Sequence, residues 1–183
     1  MNGIQLMVEE HVYAKRMLDV IRKYSYRLLK GEEVDLDDFH KMIDFVRNFV
    51  DKHHHGKEED LLFNRMVEHL GPAAEKLVKN GMLVEHDLGR LHMQELEAAI
   101  ERVKAGDDES KLDLIANAIG YTHLLHRHID KEDGVVYKFA ENNFSKEILD
   151  QINEDCAAFE HLALDKGIQE KYIALLEELE SRA

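Results

Sequence analysis

Apolar residues recur at steps of three and four along almost the whole chain, which predicts long amphipathic helices. The first runs from about residue 3 to Lys30, with a stripe of Ile4, Met7, His11, Ala14, Leu18, Ile21 and Leu28, and stops near Gly31. The second starts around Asp35 and ends near Gly71-Pro72; Asp37 and Asp38 in its first turn complement the helix dipole. Its stripe is Phe39, Ile43, Val46, Val50, His54, Glu58 and Leu61. The third runs from near Ala73 to Ala105 with an interruption expected at Asn80-Gly81, and its inner face carries Met82, His86, Gly89, Met93, Leu96 and Ile100. Gly106-Asp107-Asp108 makes the next turn. The fourth, from about Glu109 to Glu141, reads Ile115, Ala118, Tyr121, Leu125, His128, Glu132 and Val135, and Asn142-Asn143 closes it. Ser145 can cap a fifth segment that reaches Arg182 and breaks at Gly167. That segment carries Ile148, Ile152, Phe159, Leu162, Ile168, Tyr172, Leu175 and Leu176 and reads as a helical pair packed outside the bundle.

The helices repeat. Glu10-His11-Val12-Tyr13-Ala14-Lys15 matches Glu85-His86-Asp87-Leu88-Gly89-Arg90, and His54-His55-Gly56-Lys57-Glu58-Glu59 matches His128-Ile129-Asp130-Lys131-Glu132-Asp133. Phe63 and Tyr137 fall at the same offset, and the His11–His54 spacing of 43 residues is echoed by 42 between His86 and His128. Two helix hairpins of one design make an all-α, up-down-up-down four-helix bundle with a pseudo-twofold axis and additional C-terminal helices. The expected organisation is one domain over residues 1–183, with the core bundle at 3–142 and the extension at 145–182.

The polar members of these stripes carry the chemistry. Residues four apart share a helix face, so His54/Glu58 and His128/Glu132 each present an imidazole and a carboxylate together. Both pairs are flanked by apolar residues of the same stripe. A buried glutamate needs a partner. Two such glutamates and four histidines at matching depths call for a shared positive charge, which a dinuclear metal site supplies. His55/Glu59 has the same spacing, but its face runs through Asn48, Asp51 or Lys52, and Leu62; the repeat also aligns His54 with His128, which favours His54/Glu58. Imidazole and carboxylate without thiolate suit iron, manganese or zinc. Carboxylates bridging two metals in a helical bundle are the di-iron and di-manganese pattern.

The ordered set of a lone His on helix one, His-x-x-x-Glu on helix two, a lone His on helix three and His-x-x-x-Glu on helix four resembles the hemerythrin-like, or HHE cation-binding, domain. Lys57 to Phe63 and Val84 to Arg90 look like that family's two best-marked stretches, and the likeness covers roughly residues 4 to 140. The resemblance implies an oxo- or hydroxo-bridged pair of iron ions held by His11, His54, Glu58, His86, His128 and Glu132, with manganese or zinc as the other metals the donors admit. Glu58 and Glu132 would bridge; His11 and His54 would hold one ion, His86 and His128 the other. Oxygen-carrying members have a second histidine four residues after the helix-three ligand, and here that position is Arg90. Their helix-four carboxylate lies five residues after the histidine; Asp133 occupies that offset, but Glu132 fits the repeat better. The missing imidazole favours chemistry with small oxidants (oxygen, peroxide or nitric oxide), in sensing, detoxification or iron handling, over simple reversible carriage. Reversible oxygen binding or metal storage is the alternative.

The remaining features change this picture little. His53 and His55 read as solvent-side or as lying behind the ligands, and His123, His126, His92, His40, His69 and His161 as surface residues. Tyr121 faces inward and reads as core, with a phenol beside the metals as the sharper alternative. Ala14 and Gly89 read as close packing, or as room for a small ligand. The net charge of −14 and the lack of any basic patch exclude nucleic acid as a partner class. The single cysteine, Cys156, excludes an internal disulfide and reads as an inert buried thiol. The acidic run at residues 177–180 reads as a solvated face. No apolar run is long enough for a bilayer, and no signal peptide is evident at the N-terminus, so the expected setting is cytoplasmic with no membrane partner.

Overall fold

The computed structural model describes residues 2–183. Helix α1 is Gly3–Leu29, its first turn closed by Asn2, whose side chain accepts the Gln5 N–H. Helix α2 spans residues 36–69 and is not uniform. An α-helical start, Leu36–Phe45, gives way to π-helical turns at Val46–His55 and Glu58–Phe63 before Asn64–His69 returns to α geometry. Helix α3 spans 71–104 and holds a π-turn at Val78–Met82, where the sequence predicts an interruption. Helix α4 spans 111–143 with a π-turn at Glu132–Val136. Helices α5, Lys146–Asp165, and α6, Ile168–Glu180, follow. Ser145 accepts the Ile148 N–H and caps α5. Gly167 sits at φ 65°, a left-handed conformation that glycine adopts without strain, and there the chain turns from α5 into α6.

Helices α1 to α4 pack each on the next, and α4 closes on α1, so the fold is an all-α four-helix bundle. Helices α5 and α6 are the extra C-terminal pair, lying against α1 and α2. Their approach is close: a methyl group on Gly3 would lie 2.6 Å from the Cys156 sulfur.

Two apolar clusters fill the interior. One gathers Met17, Leu18, Phe39, Phe45, Leu96, Ala118 and Leu176. The other gathers Met7, Leu62, Phe63, Met82, Val136, Tyr137, Ile152 and Cys156. In α1, α2 and α3 the stretch between the residues given to one cluster and to the other contains the histidines and glutamates of the repeat, and in α4 it contains Glu132, with His128 at its edge beside Ile129. The bundle therefore holds a buried polar layer between two apolar ones.

The stripes hold up to that layer and slip by one residue beyond it. Leu62, not Leu61, is fully buried, and Val136 is buried while Val135 is 55% exposed. An i→i+5 turn takes one more residue than an α turn, so each π-turn shifts the inward face by one position. On α5, Leu162 is exposed, against the sequence expectation.

Candidate metal centre

The structure brings His11, His54, Glu58, His86, His128 and Glu132 together, each at most 3% exposed. Two groups have donor atoms within reach of a common ion: His11, His54, Glu58 and Glu132, and His55, Glu58, His86 and His128. Glu58 belongs to both. Its Oε2 lies 3.8 Å from His54 Nε2 and 3.6 Å from His86 Nε2. Glu132 faces both ways, with Oε2 3.3 Å from His11 Nε2 and Oε1 3.0 Å from His128 Nε2.

His55 corrects the sequence reading. It is buried, its ring stacked on His86 at 3.8 Å between centroids. His53 is buried too. In an unbroken α-helix successive residues turn by about 100°, which would carry His55 away from His54. The π-turn at 46–55 admits both to the interior. Glu59 is not in either group; it is the partner of His86.

Each imidazole of the original set is backed by a carboxylate, and each carboxylate by a cation. His54 Nδ1 donates to Glu10 (2.8 Å), which Lys57 also contacts. His128 Nδ1 donates to Glu85 (2.9 Å), which is paired with Lys131. His86 Nδ1 donates to Glu59 (2.7 Å), which Arg90 holds at 2.8 Å. His11 Nδ1 donates to Asp133 (2.8 Å), with Lys15 3.6 Å behind it. These are the repeat's own positions: Glu10 with Glu85, Lys57 with Lys131, Glu59 with Asp133, Lys15 with Arg90. A carboxylate on Nδ1 fixes the tautomer and leaves the Nε2 lone pair for a metal. Arg90, at the position of the missing histidine, serves as a clamp on Glu59, Asp51 and Asp87.

Two positions break the symmetry. His55 aligns with Ile129, so one end has three imidazoles and the other two. Tyr137 aligns with Phe63, and its hydroxyl donates to Glu58 Oε1, whereas both Glu132 oxygens lack any hydrogen bond.

A metal fits these residues. Among the described residues, the buried side-chain atoms without a hydrogen-bond partner are His11 Nε2, His54 Nε2, His55 Nδ1, Glu58 Oε2 and both Glu132 oxygens, with only Tyr121 Oη and Gln169 Oε1 besides. Unbonded buried polar atoms are costly and rare, and five of these, all but His55 Nδ1, which lies 3.5 Å from Asp51, converge on one spot. His86 Nε2 and His128 Nε2 also face each other at 3.1 Å while both Nδ1 atoms donate elsewhere. Two opposed lone pairs call for a cation. Without one, protons substitute. Burial and the Glu132 charge push the Glu58 carboxyl well above its ordinary range. Burial would lower His128, but Glu132 and Glu85 outweigh it and raise it to about 9. Burial takes His54 down to about 4 despite Glu10.

The fold and this centre define a class: a helical-bundle protein with adjacent, carboxylate-linked imidazole sites for two cations. The model of the Hemerythrin HHE cation binding domain matches residues 2–140, and the chain belongs to that family. Neither curated proteins nor solved structures yield a match. Helices α5 and α6 lie beyond the matched residues. Among the described residues no helix is long and apolar enough to cross a membrane.

Proposed function

We propose that the chain is a di-iron protein that binds or reacts with oxygen, peroxide or nitric oxide, in sensing, detoxification or iron handling. The carrying observation is the convergence of buried imidazole and carboxylate donor atoms from four helices around Glu58 and Glu132. His11 and His54 would hold one ion and His86, His128 and His55 the other, with Glu58 and Glu132 between them. When bound, such a pair supplies Lewis acidity and one-electron steps at neighbouring metals. The chain's own residues fix the imidazoles through Glu10, Asp133, Glu59 and Glu85, and hold the Tyr137 proton at Glu58 Oε1. Manganese or zinc would satisfy the same donors. The extension belongs to the same domain in this reading, because Glu160 of α5 reaches Lys57 beside the centre.

One observation favours the second reading, reversible oxygen binding. His55 gives one end the third imidazole that Arg90 does not, so the two ions are inequivalent, with coordination fuller at one end.

Metal content per chain with an ultraviolet-visible spectrum tests the metal. About two irons with charge-transfer bands are expected; a chain that takes up no metal when iron is supplied without oxygen rules the reading out. Stopped-flow mixing of the reduced protein with oxygen then separates the two. Irreversible oxidation marks redox chemistry, and an adduct released under vacuum marks carriage. For His55→Ala, metal titration is expected to show one site kept and the other weakened by at least about 100-fold, since even loss of an outer partner costs about 10–100-fold. Two unchanged sites would remove His55 from the ligand set.

A further inference from the structure

Helices α2, α3 and α4 leave a cavity of about 270 Å³ at the three-imidazole end of the centre. Val46, Met93 and Leu125 give it apolar walls, and His55 and His86 also line it. Its charged lining residues include Arg47 and Arg90, both part-exposed and both neutralised, Arg47 by Glu97 at 2.7 Å and Arg90 by Asp51 at 2.7 Å. Two polar atoms of the lining lack any partner, His55 Nδ1 and the hydroxyl of Tyr121, a residue only 2% exposed. Burial, aided by the Asp51 charge, pushes this phenol far above its ordinary range, so it stays a neutral donor. A phenylalanine would fill the same space without an unbonded group, so the hydroxyl points to something that bonds it.

The volume exceeds what a diatomic or peroxide needs. An apolar cavity of about 150 Å³ holds benzene, and pockets for small organic molecules begin near 300 Å³. The site therefore has room for a ring-sized body and a polar substituent. We infer that it binds a small neutral organic molecule, an aromatic or branched-alkyl body with one hydroxyl-type oxygen. The body lies against Val46, Met93 and Leu125, and the oxygen bonds Tyr121 Oη beside His55 and His86. This rests on the proposed metal reading only for what the bound molecule meets there; the binding itself needs no metal.

Phenol and benzene are the probes. They are titrated into purified protein of measured metal content, followed by calorimetry and by amide shifts at Gly89, Met93 and Leu125. Phenol is expected to bind about three- to tenfold more tightly than benzene, the worth of one net hydrogen bond. In Tyr121→Phe that preference disappears while benzene binding stays; the fold should hold, because the lost hydroxyl has no partner. Gly89→Ala is a second check. Its methyl would sit 3.4 Å from the Tyr121 ring at the cavity wall and should weaken both probes. Phenol binding by a protein that takes up no iron when iron is supplied would support this inference while the metal reading fails. A protein loaded with two metals that shows no phenol shifts, or a wild type that binds the two probes equally, would overturn the inference and leave the metal reading standing.

Discussion

Replacement of Glu58 by alanine is expected to empty both halves of the centre, taking the metal content from about two ions per chain to about none. Glu58 is the residue common to both donor groups, and it is fully buried. Its loss removes a bridging carboxylate from each ion at once, and Glu132 is left as the single negative charge among the donors to set against two cations. His11→Ala is the control. It takes one nitrogen from the two-imidazole end and should leave about one ion at the other, where the nitrogens of His55, His86 and His128 remain. Elemental analysis of the purified variants reads the difference, with far-ultraviolet circular dichroism to show that helix content is kept. A folded Glu58→Ala protein that still carries two ions would mean that Glu58 does not join the sites.

The inward placement of Glu58 and Glu132 is legible in sequence because both interrupt an apolar stripe at one helical spacing. Phe39, Ile43, Val46 and Val50 set the face, and all are buried. The register beyond is not legible from a 3.6-residue period, because the backbone leaves that period at the ligands. Leu62 replaces Leu61 and Val136 replaces Val135 for this one reason, and His55 moves inward for the same one. The available signal was a glycine inside each ligand-bearing helix of the slip: Gly56 between the two π-turns of α2, and Gly134 within that of α4. Glycine in a helix interior weakens the α ladder by about 1 kcal/mol and so marks where another geometry competes. The outer partners were visible as repeated letters, Glu before His and Lys before Glu, but not as pairs. Glu10 meets His54 and Glu59 meets His86 only across helices. Glu160 gave no signal at all, since one polar residue on a half-buried helix has no periodic signature.

That glutamate is part of the second large effect expected, which concerns Lys57. This lysine is fully buried, and its ammonium contacts Glu10 and Glu160, with His53 Nε2 at 3.2 Å and the Phe159 ring at 5.6 Å. Burial alone would raise the Glu10 carboxyl. Hydrogen bonds from His53 and His54, with the charges of His54 and Lys57, outweigh it and hold Glu10 well below the carboxylate range. Lys57→Met keeps the volume and removes the charge, leaving two buried carboxylates side by side. Breaking such a buried pair from one side costs about 3–5 kcal/mol, and in a chain of this size each kcal/mol lowers the melting temperature by about 2–4 °C. The repeat supplies the comparison. Lys131 holds Glu85 as Lys57 holds Glu10, but Lys131 is 45% exposed. An exposed pair is worth at most about 1 kcal/mol, so Lys131→Met should barely move the melting temperature. The pH dependence has a definite sign. In the parent, depressed Glu10 contributes stability above pH 4.5 that is lost as pH falls further. In Lys57→Met the Glu10 carboxyl loses one of the charges that hold it low and is raised relative to the parent, so the penalty of the variant is greatest at high pH and relaxes as that carboxyl protonates. The gap between variant and parent should narrow steadily from about pH 8 to pH 5. A gap that is small and flat across that range would show that the buried ammonium does not hold α1, α2 and α5 together.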